Sequence, residues 1–468
     1  MKKCLPPYVV LLSLLVASSA VPQAQADVTL PKVLSSHMVL QRDRPLPIWG
    51  WAAPDEEVTV TLDDATATAK ADAHGNWKVV LPAMKADGKA HSMTVSGKNK
   101  IELEDILIGD VWIGSGQSNM ELPLGSSAGG KEAVDAANCP QIRLLHVERV
   151  KTSEPAKDIV VYTVARRVKG QPPPPPATGP AWKVCARQTV PGFSAVLYYF
   201  GHRLHKDLDV PVGLINSSWG GSPIEQWIVS GPKGGGMYNG MIAPLEPFAI
   251  RGAIWYQGEA NVSIGLKYAD KMKALIEGWR KVWGYDFPFY FVEIAPYAGY
   301  KASLPNLWEA QVASLKVPNT GMAVTTDLVE NIKNIHPKNK FDVGNRLALW
   351  ALAKEYGKKD IVYSGPLYKA MKVEGNKIRL SFAHVGGGLK SRDGKPLTEF
   401  EVASADGKFV PAEAKIDGKT VVVQAKEVAA PTQARFGWRN EANPNLVNKQ
   451  GLPASPFQTN NWQGGTGE

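Results

Sequence analysis

The 468-residue chain predicts an α/β fold, a mostly parallel sheet covered by helices on both faces, with small antiparallel β regions at its two ends. Three observations carry that prediction. Through the middle of the chain, short apolar runs alternate with amphipathic stretches of helical period, as expected of strands buried on both sides. Toward both ends, runs of β-branched residues are separated by turn sequences such as "DAHGNW" and "KADGK". The composition, 44% hydrophobic and 21% charged, is that of a globular chain with material for a large core.

Taken in order, residues 1–26 read as an export signal. Lys2 and Lys3 precede the apolar "YVVLLSLLVASSA", and "AQA" before Asp27 has the small-x-small form of a cleavage site. The mature chain is therefore expected in the periplasm or outside the cell. The net charge is +9, or +7 without the two lysines, and no run of five like charges occurs. That pattern argues against a nucleic-acid partner. No later segment reaches the roughly 20 apolar residues that span a bilayer, so no membrane insertion is expected after cleavage. Residues 27–104 then read as a small antiparallel β domain, with "EVTVTL", "WKVVLP" and "SMTVSG" as strands.

From residue 105 to 367 the α/β pattern takes over. "DVWIGSG", "VGLINSSWG", "AIWYQGEA", "FPFYFVEIA" and "GMAVTTDL" read as buried strands. "FSAVLYYFGHRLHKDL", "YADKMKALIEGWRKVW" and "NKFDVGNRLALWALAKEYG" read as helices between or after them. A proline-rich excursion near 171–180 interrupts this region and is expected at the surface. Cys139 and Cys185 flank it, so a disulfide between them would close a long loop; Cys185 equally suits a buried apolar position. Residues 368–468 return to β character, with Asp-Gly turns between "TEFEVASADGKFV" and "IDGKTVVVQA".

In a parallel sheet the active site forms beyond the carboxyl ends of the strands, and four loops there carry unusual polar residues. "GSGQSNM" places Ser118 where a strand gives way to a helix, as a helix cap or as a nucleophile whose own N–H faces an oxyanion. "NSSWGGSPIEQW" pairs Gly220 with Gly221, which permits close backbone approach, and continues to Glu225. "WYQGEANV" crowds Gln257, Glu259 and Asn261 onto the end of an apolar strand, where their burial is costly without partners. "NIHPKNK" supplies His336, either a structural histidine or, as the best placed of the chain's histidines, a general base. No Cys or His spacing of the zinc type is present, and no metal or cofactor is expected.

Together these motifs resemble the SGNH (GDSL-like) hydrolases and, within them, the sialate O-acetylesterase family. "GQSNM", the Gly220–Gly221 pair, "WYQGEAN" and "IHPKNK" match that family's motifs in order. The likeness extends to "HMVLQRDRPLPIWGWA", "WKVCARQTVPGFSAVLYYFG" and "NLVNKQGLPASPF". It implies a three-layer α/β/α core and an acyl-enzyme route with Ser118 as nucleophile and His336 as base. The oxyanion donors it implies are Ser118 N–H, Gly220 or Gly221 N–H and the Asn261 amide. Gln117, Glu225, Gln257 and Glu259 are the residues expected at the sugar, although Gln257 and Glu259 equally suit a role in positioning the motif.

The chain departs from the family pattern at one point. Many SGNH enzymes carry an Asp three residues before the histidine, and here Lys333 stands there. Asp327, at the end of "GMAVTTD", is the carboxylate expected to orient His336; the alternative is a Ser–His dyad. The function implied is a carbohydrate O-acetylesterase acting on O-acetylated sialic acid. Acetylated xylan or another acetylated glycan is the second expectation, and a non-catalytic glycan-binding protein on an esterase scaffold the third.

Overall fold

Strand β1 (Lys100–Gly116) belongs to two layers at once, and the rest of the molecule is arranged around it. The computed structural model describes residues 27–161, 181–229 and 235–460, with Met1, Trp462, Gly464 and Gly465. The expected export signal beyond Met1 and the proline-rich run at 171–180 lie outside the described residues.

In chain order the other strands of the central sheet are β2 (Asn138–His146), β3 (Lys183–Ala186), β4 (Val212–Ser218), β5 (Gly252–Tyr256), β6 (Phe289–Val292) and β7 (Thr320–Ala323). Their spatial order is β7-β6-β5-β1-β4-β2-β3. Every pairing is parallel except that of β2 with the edge strand β3. Such strands are apolar throughout because neither face meets water. β4, β5, β6 and β7 are buried at every position.

Alternation along the strands sends successive side chains to opposite faces, and each face has its own helices. On one face Trp112 and Tyr290 pack with Phe200 of helix α2 (Ala195–Leu208) and with Trp350 of helix α5 (Lys340–Trp350). On the other, Trp255 and Phe289 pack with Trp279 of helix α3 (Tyr268–Trp283). A further helix, α4 (Leu304–Ala313), lies beside α3. The α/β class with helices on both faces is thus the observed one.

The amino-terminal half of β1 pairs antiparallel with His91–Ser96, which pairs with Glu57–Leu62. From Leu107 the strand runs beside Val39–Gln41 and then enters the parallel sheet. The backbone has no break near the expected boundary at residue 104. One buried cluster extends from Val28 through Met93 and Ile113 to Leu352. The carboxyl-terminal region forms two four-stranded antiparallel sheets around a second cluster that includes Leu380, Val421 and Phe436. No helix among the described residues is long and apolar enough to cross a membrane.

Candidate active site

β1, β4 and β5 run parallel, and Gly116 is the register partner of both Ser218 and Tyr256. The loops that follow these strands therefore leave the sheet at one edge. Gly116 has φ +132°, and a Cβ on it would lie 2.2 Å from the Tyr256 carbonyl oxygen, so only glycine fits this exit. The chain then turns into the short helix α1 (Ser118–Glu121), with Ser118 at its first position.

His336 reaches this point from the irregular segment between β7 and α5. Its Nε2 lies 2.8 Å from Ser118 Oγ, and both residues are half-buried. The backbone N–H of His336 donates to Asn334 Oδ1 at 3.0 Å, a tight local turn that presents the ring. Burial, then the nearby Lys340 charge, holds the imidazole pKa below its ordinary value. The neutral form, able to accept a proton, is therefore favoured.

The carboxylate expected to orient the imidazole is elsewhere. Asp327 places its two oxygens on Arg346 Nη1 and Nη2, each at 2.7 Å. The side chains are 8% and 11% exposed, and a buried carboxylate needs such a countercharge. The assignment of Asp327 to His336 is corrected accordingly: among the described residues no side chain bonds to His336 Nδ1. Lys333 is exposed. Ser118 and His336 stand as a hydrogen-bonded pair.

Gly220 approaches the nucleophile closely; a Cβ on it would lie 3.4 Å from Ser118 Cβ. Its N–H, however, donates to Glu121 Oε2 at 3.0 Å, and Glu121 also pairs with Arg149. Gly221, with φ +74°, is exposed, and among the described residues its N–H has no acceptor. The Ser118 N–H, at the first position of its helix, is likewise without one. Ser118 and Gly221 thus supply the unengaged backbone donors of the expected set.

Asn261 is buried and bonded on both sides of its amide. Its Oδ1 accepts from Ile224 N–H at 2.9 Å and Gln257 Nε2 at 2.8 Å, and its Nδ2 donates to Glu225 Oε2 at 3.0 Å. It ties the glycine loop to the strand-end loop. Gln257 also donates to Gln117 Oε1 at 3.1 Å and accepts from Tyr268 Oη at 2.7 Å. Gln117 and Gln257 are 3% and 0% exposed, so both side chains are turned into the protein. Of the four residues expected at the sugar, Glu225 is half-buried, and Glu259 directs a solvent-shielded carboxylate toward Asn119. Buried amides make these bonds because an unpartnered one costs a few kcal/mol.

Sequence reasoning passed over Asn119, Lys340 and Glu121, all within reach of the dyad. Asn119 stands in the motif and was legible as its neighbour. Lys340 resembled an ordinary solvated lysine ahead of a helix, and only the packing buries it.

The model of a carbohydrate-esterase family, the sialic acid-specific acetylesterases, matches residues 108–353. The chain is 32% identical over 405 residues to sialate O-acetylesterase of Homo sapiens, covering 75% of each protein. It is 29% identical over 420 residues to the Mus musculus protein of the same name, covering 73% of this chain and 76% of that one. Among solved structures, a carbohydrate acetylesterase from Xanthomonas citri superposes with a TM-score of 0.85 at 40% identity. That match covers 93% of this chain and 100% of the other.

Proposed function

The chain belongs to the sialic acid-specific acetylesterase family of carbohydrate esterases, and on that premise we propose that it removes acetyl groups from sugars through an acetyl-Ser118 intermediate. The observation that carries this reading is the 2.8 Å contact between His336 Nε2 and Ser118 Oγ. A serine hydroxyl is a weak nucleophile until an adjacent base takes its proton.

His336 accepts that proton as Oγ bonds to the acetyl carbonyl carbon. The negative charge that develops on the carbonyl oxygen is met by the Ser118 and Gly221 N–H groups, held by the backbone in advance of the reaction. Collapse breaks the ester bond, and His336 gives the proton to the departing sugar oxygen, which leaves as a hydroxyl. A water molecule, deprotonated by His336, then attacks the acetyl carbon. Acetate leaves and Ser118 regains its proton.

O-acetylated sialic acid is the sugar this reading favours. One observation supports an anionic substrate: exposed Lys151 stands 5.5 Å over the ring of Trp219, the neighbour of Gly220. The export-type sequence of residues 1–26 supports action in the periplasm or outside the cell.

The test is acetate release from a panel of acetylated sialosides and acetylated xylan. Fastest release from the sialosides is expected, and preference for a neutral glycan would overturn the choice of sugar. Ser118→Ala should lower turnover of any acetyl ester by about a thousandfold or more with the fold intact. Near wild-type turnover in that variant would remove the acyl-enzyme.

A further inference from the structure

Lys340 is a lysine in the wrong place by ordinary rules. It opens helix α5, where the helix dipole disfavours a positive charge, and it is 0% exposed. A side chain held against both penalties has partners that offset them, and one of them here is Asn119, the chain neighbour of Ser118. Lys340 Nζ donates to Asn119 Oδ1 at 2.6 Å and stands 5.0 Å above the Tyr256 ring.

Asn119 passes the interaction on. Its Nδ2 donates to Glu259 Oε1 at 2.5 Å and to the Ile335 carbonyl at 3.0 Å. A cation faces its oxygen while a carboxylate and a carbonyl face its nitrogen, so the charges decide which way the amide points. Asn119 adjoins Ser118 in the chain, and Ile335 adjoins His336. The single amide therefore joins the backbone that carries the nucleophile to the backbone that carries the base.

We propose that Asn119, held between Lys340 and Glu259, positions the dyad and takes over the duty that an orienting carboxylate on the imidazole performs elsewhere. None of the three touches the reacting atoms; each is a positioning residue. The inference rests on the reading of Ser118 and His336 given above.

The electrostatics fit this role. Burial pushes the Lys340 ammonium down to about 7, opposed by the Glu259 and Glu330 carboxylates, and burial pushes the Glu259 carboxyl up. Around His336 the groups that face the network are Lys340 and Asn119, Glu259 and Tyr256 on the strand-end side, and Glu330 across the loop. The acid limb of the rate profile reports the imidazole, which lies below its ordinary value in part because Lys340 is still protonated in that range. Removing the ammonium must move that limb to higher pH, because a charged imidazole is then less disfavoured.

The experiment measures kcat, KM and the pH profile of kcat/KM on an aryl acetate for wild type, Lys340→Met and the near-isosteric Asn119→Asp. Wild type is first labelled with a serine-directed phosphonate; if it is neither labelled nor active, the Ser118–His336 reading fails, and this proposal with it. With wild type active, both variants are expected to lose about tenfold or more in kcat, while KM stays within about twofold. In Lys340→Met the acid limb should also shift upward. Should Lys340→Met not fold, the kcat of Asn119→Asp decides alone, since its carboxylate keeps the Lys340 contact but loses both donors. A kcat within about twofold of wild type in the folded variants, with an unmoved acid limb, overturns the proposal while leaving the dyad in place.

Discussion

Asp327 ends the stretch "GMAVTTD" at the same sheet edge as Ser118, yet its carboxylate turns to Arg346. Proximity in sequence to a strand end places a backbone; the countercharge places the side chain. The consequence is testable. Asp327→Asn removes one partner of a buried pair, which leaves the guanidinium uncompensated and costs about 3 kcal/mol or more in stability. Its turnover per folded molecule should stay within about tenfold of wild type, in contrast to the roughly 10⁴-fold loss seen when a triad carboxylate is replaced. Denaturant unfolding and kcat of the purified variant check both halves; an unchanged unfolding midpoint with collapsed kcat would return Asp327 to the imidazole. Gln117 and Gln257 teach the same point from the other side. Their polarity in an apolar context marked the site, and the structure uses that polarity to build its floor.

At the scale of elements, the five apolar runs and three amphipathic stretches of the middle region all emerge as strands and helices. Helix α4 escaped notice because nearly all its residues are buried, so "LPNLWEAQVA" shows little polar face to set a period. β2 and β3 were missed as well, since "NCPQIRLLH" and "KVCA", the last two strands toward one edge, carry mixed residues. Their pairing puts Cys139 opposite Cys185, both as free thiols. The Cys185 thiol and His202 hydrogen-bond Cys139 and hold its pKa well below the usual thiol range, which favours the attacking thiolate. Exposure to a disulfide-bonded oxidant such as oxidised glutathione should therefore couple the pair by thiol–disulfide exchange, releasing two reduced thiols. The closed loop is long, and a gain of about 4 kcal/mol is expected from its closure. Thiol titration of the unfolded, unreduced protein after such treatment should find neither cysteine free. Two titratable thiols would contradict the coupling.

Over the whole molecule, the carboxyl-terminal β region is bonded to the α/β core just past the end of β6 and midway along α4. Ser455 Oγ donates to Glu293 Oε1 at 2.5 Å, and Gln458 Nε2 donates to Glu309 Oε2 at 2.9 Å. Glu293 is 0% exposed, and burial pushes its carboxyl up to about 8 from an ordinary 4.5. A carboxyl raised in the folded state favours folding fully below the unfolded value and loses that contribution as pH rises through the folded one. Wild type should therefore lose stability relative to Glu293→Gln between about pH 4.5 and pH 8, by a few kcal/mol in all. Unfolding midpoints of the two proteins across that range provide the check. Parallel curves would mean that Glu293 ionises in the folded protein as it does in water.

What the amino-acid sequence determined by itself is whatever period and local chemistry decide. Unbroken apolar runs dictated strands buried on both faces, and small or polar residues at their ends marked the loops of one sheet edge, Ser118 and His336 among them. Tertiary structure alone decided which polar groups meet. Ser118 and Lys340 are more than two hundred residues apart in the chain, and no local pattern tells a lysine whether it will be hydrated or enclosed. The same packing turned Asp327 to Arg346 and joined Asn119 to the loop of His336. It also ran β1 without interruption through the residue where composition changes. Burial makes each of these pairings obligatory, because a buried charge or amide must find a partner, and the partner is chosen by the fold rather than by its neighbours in sequence.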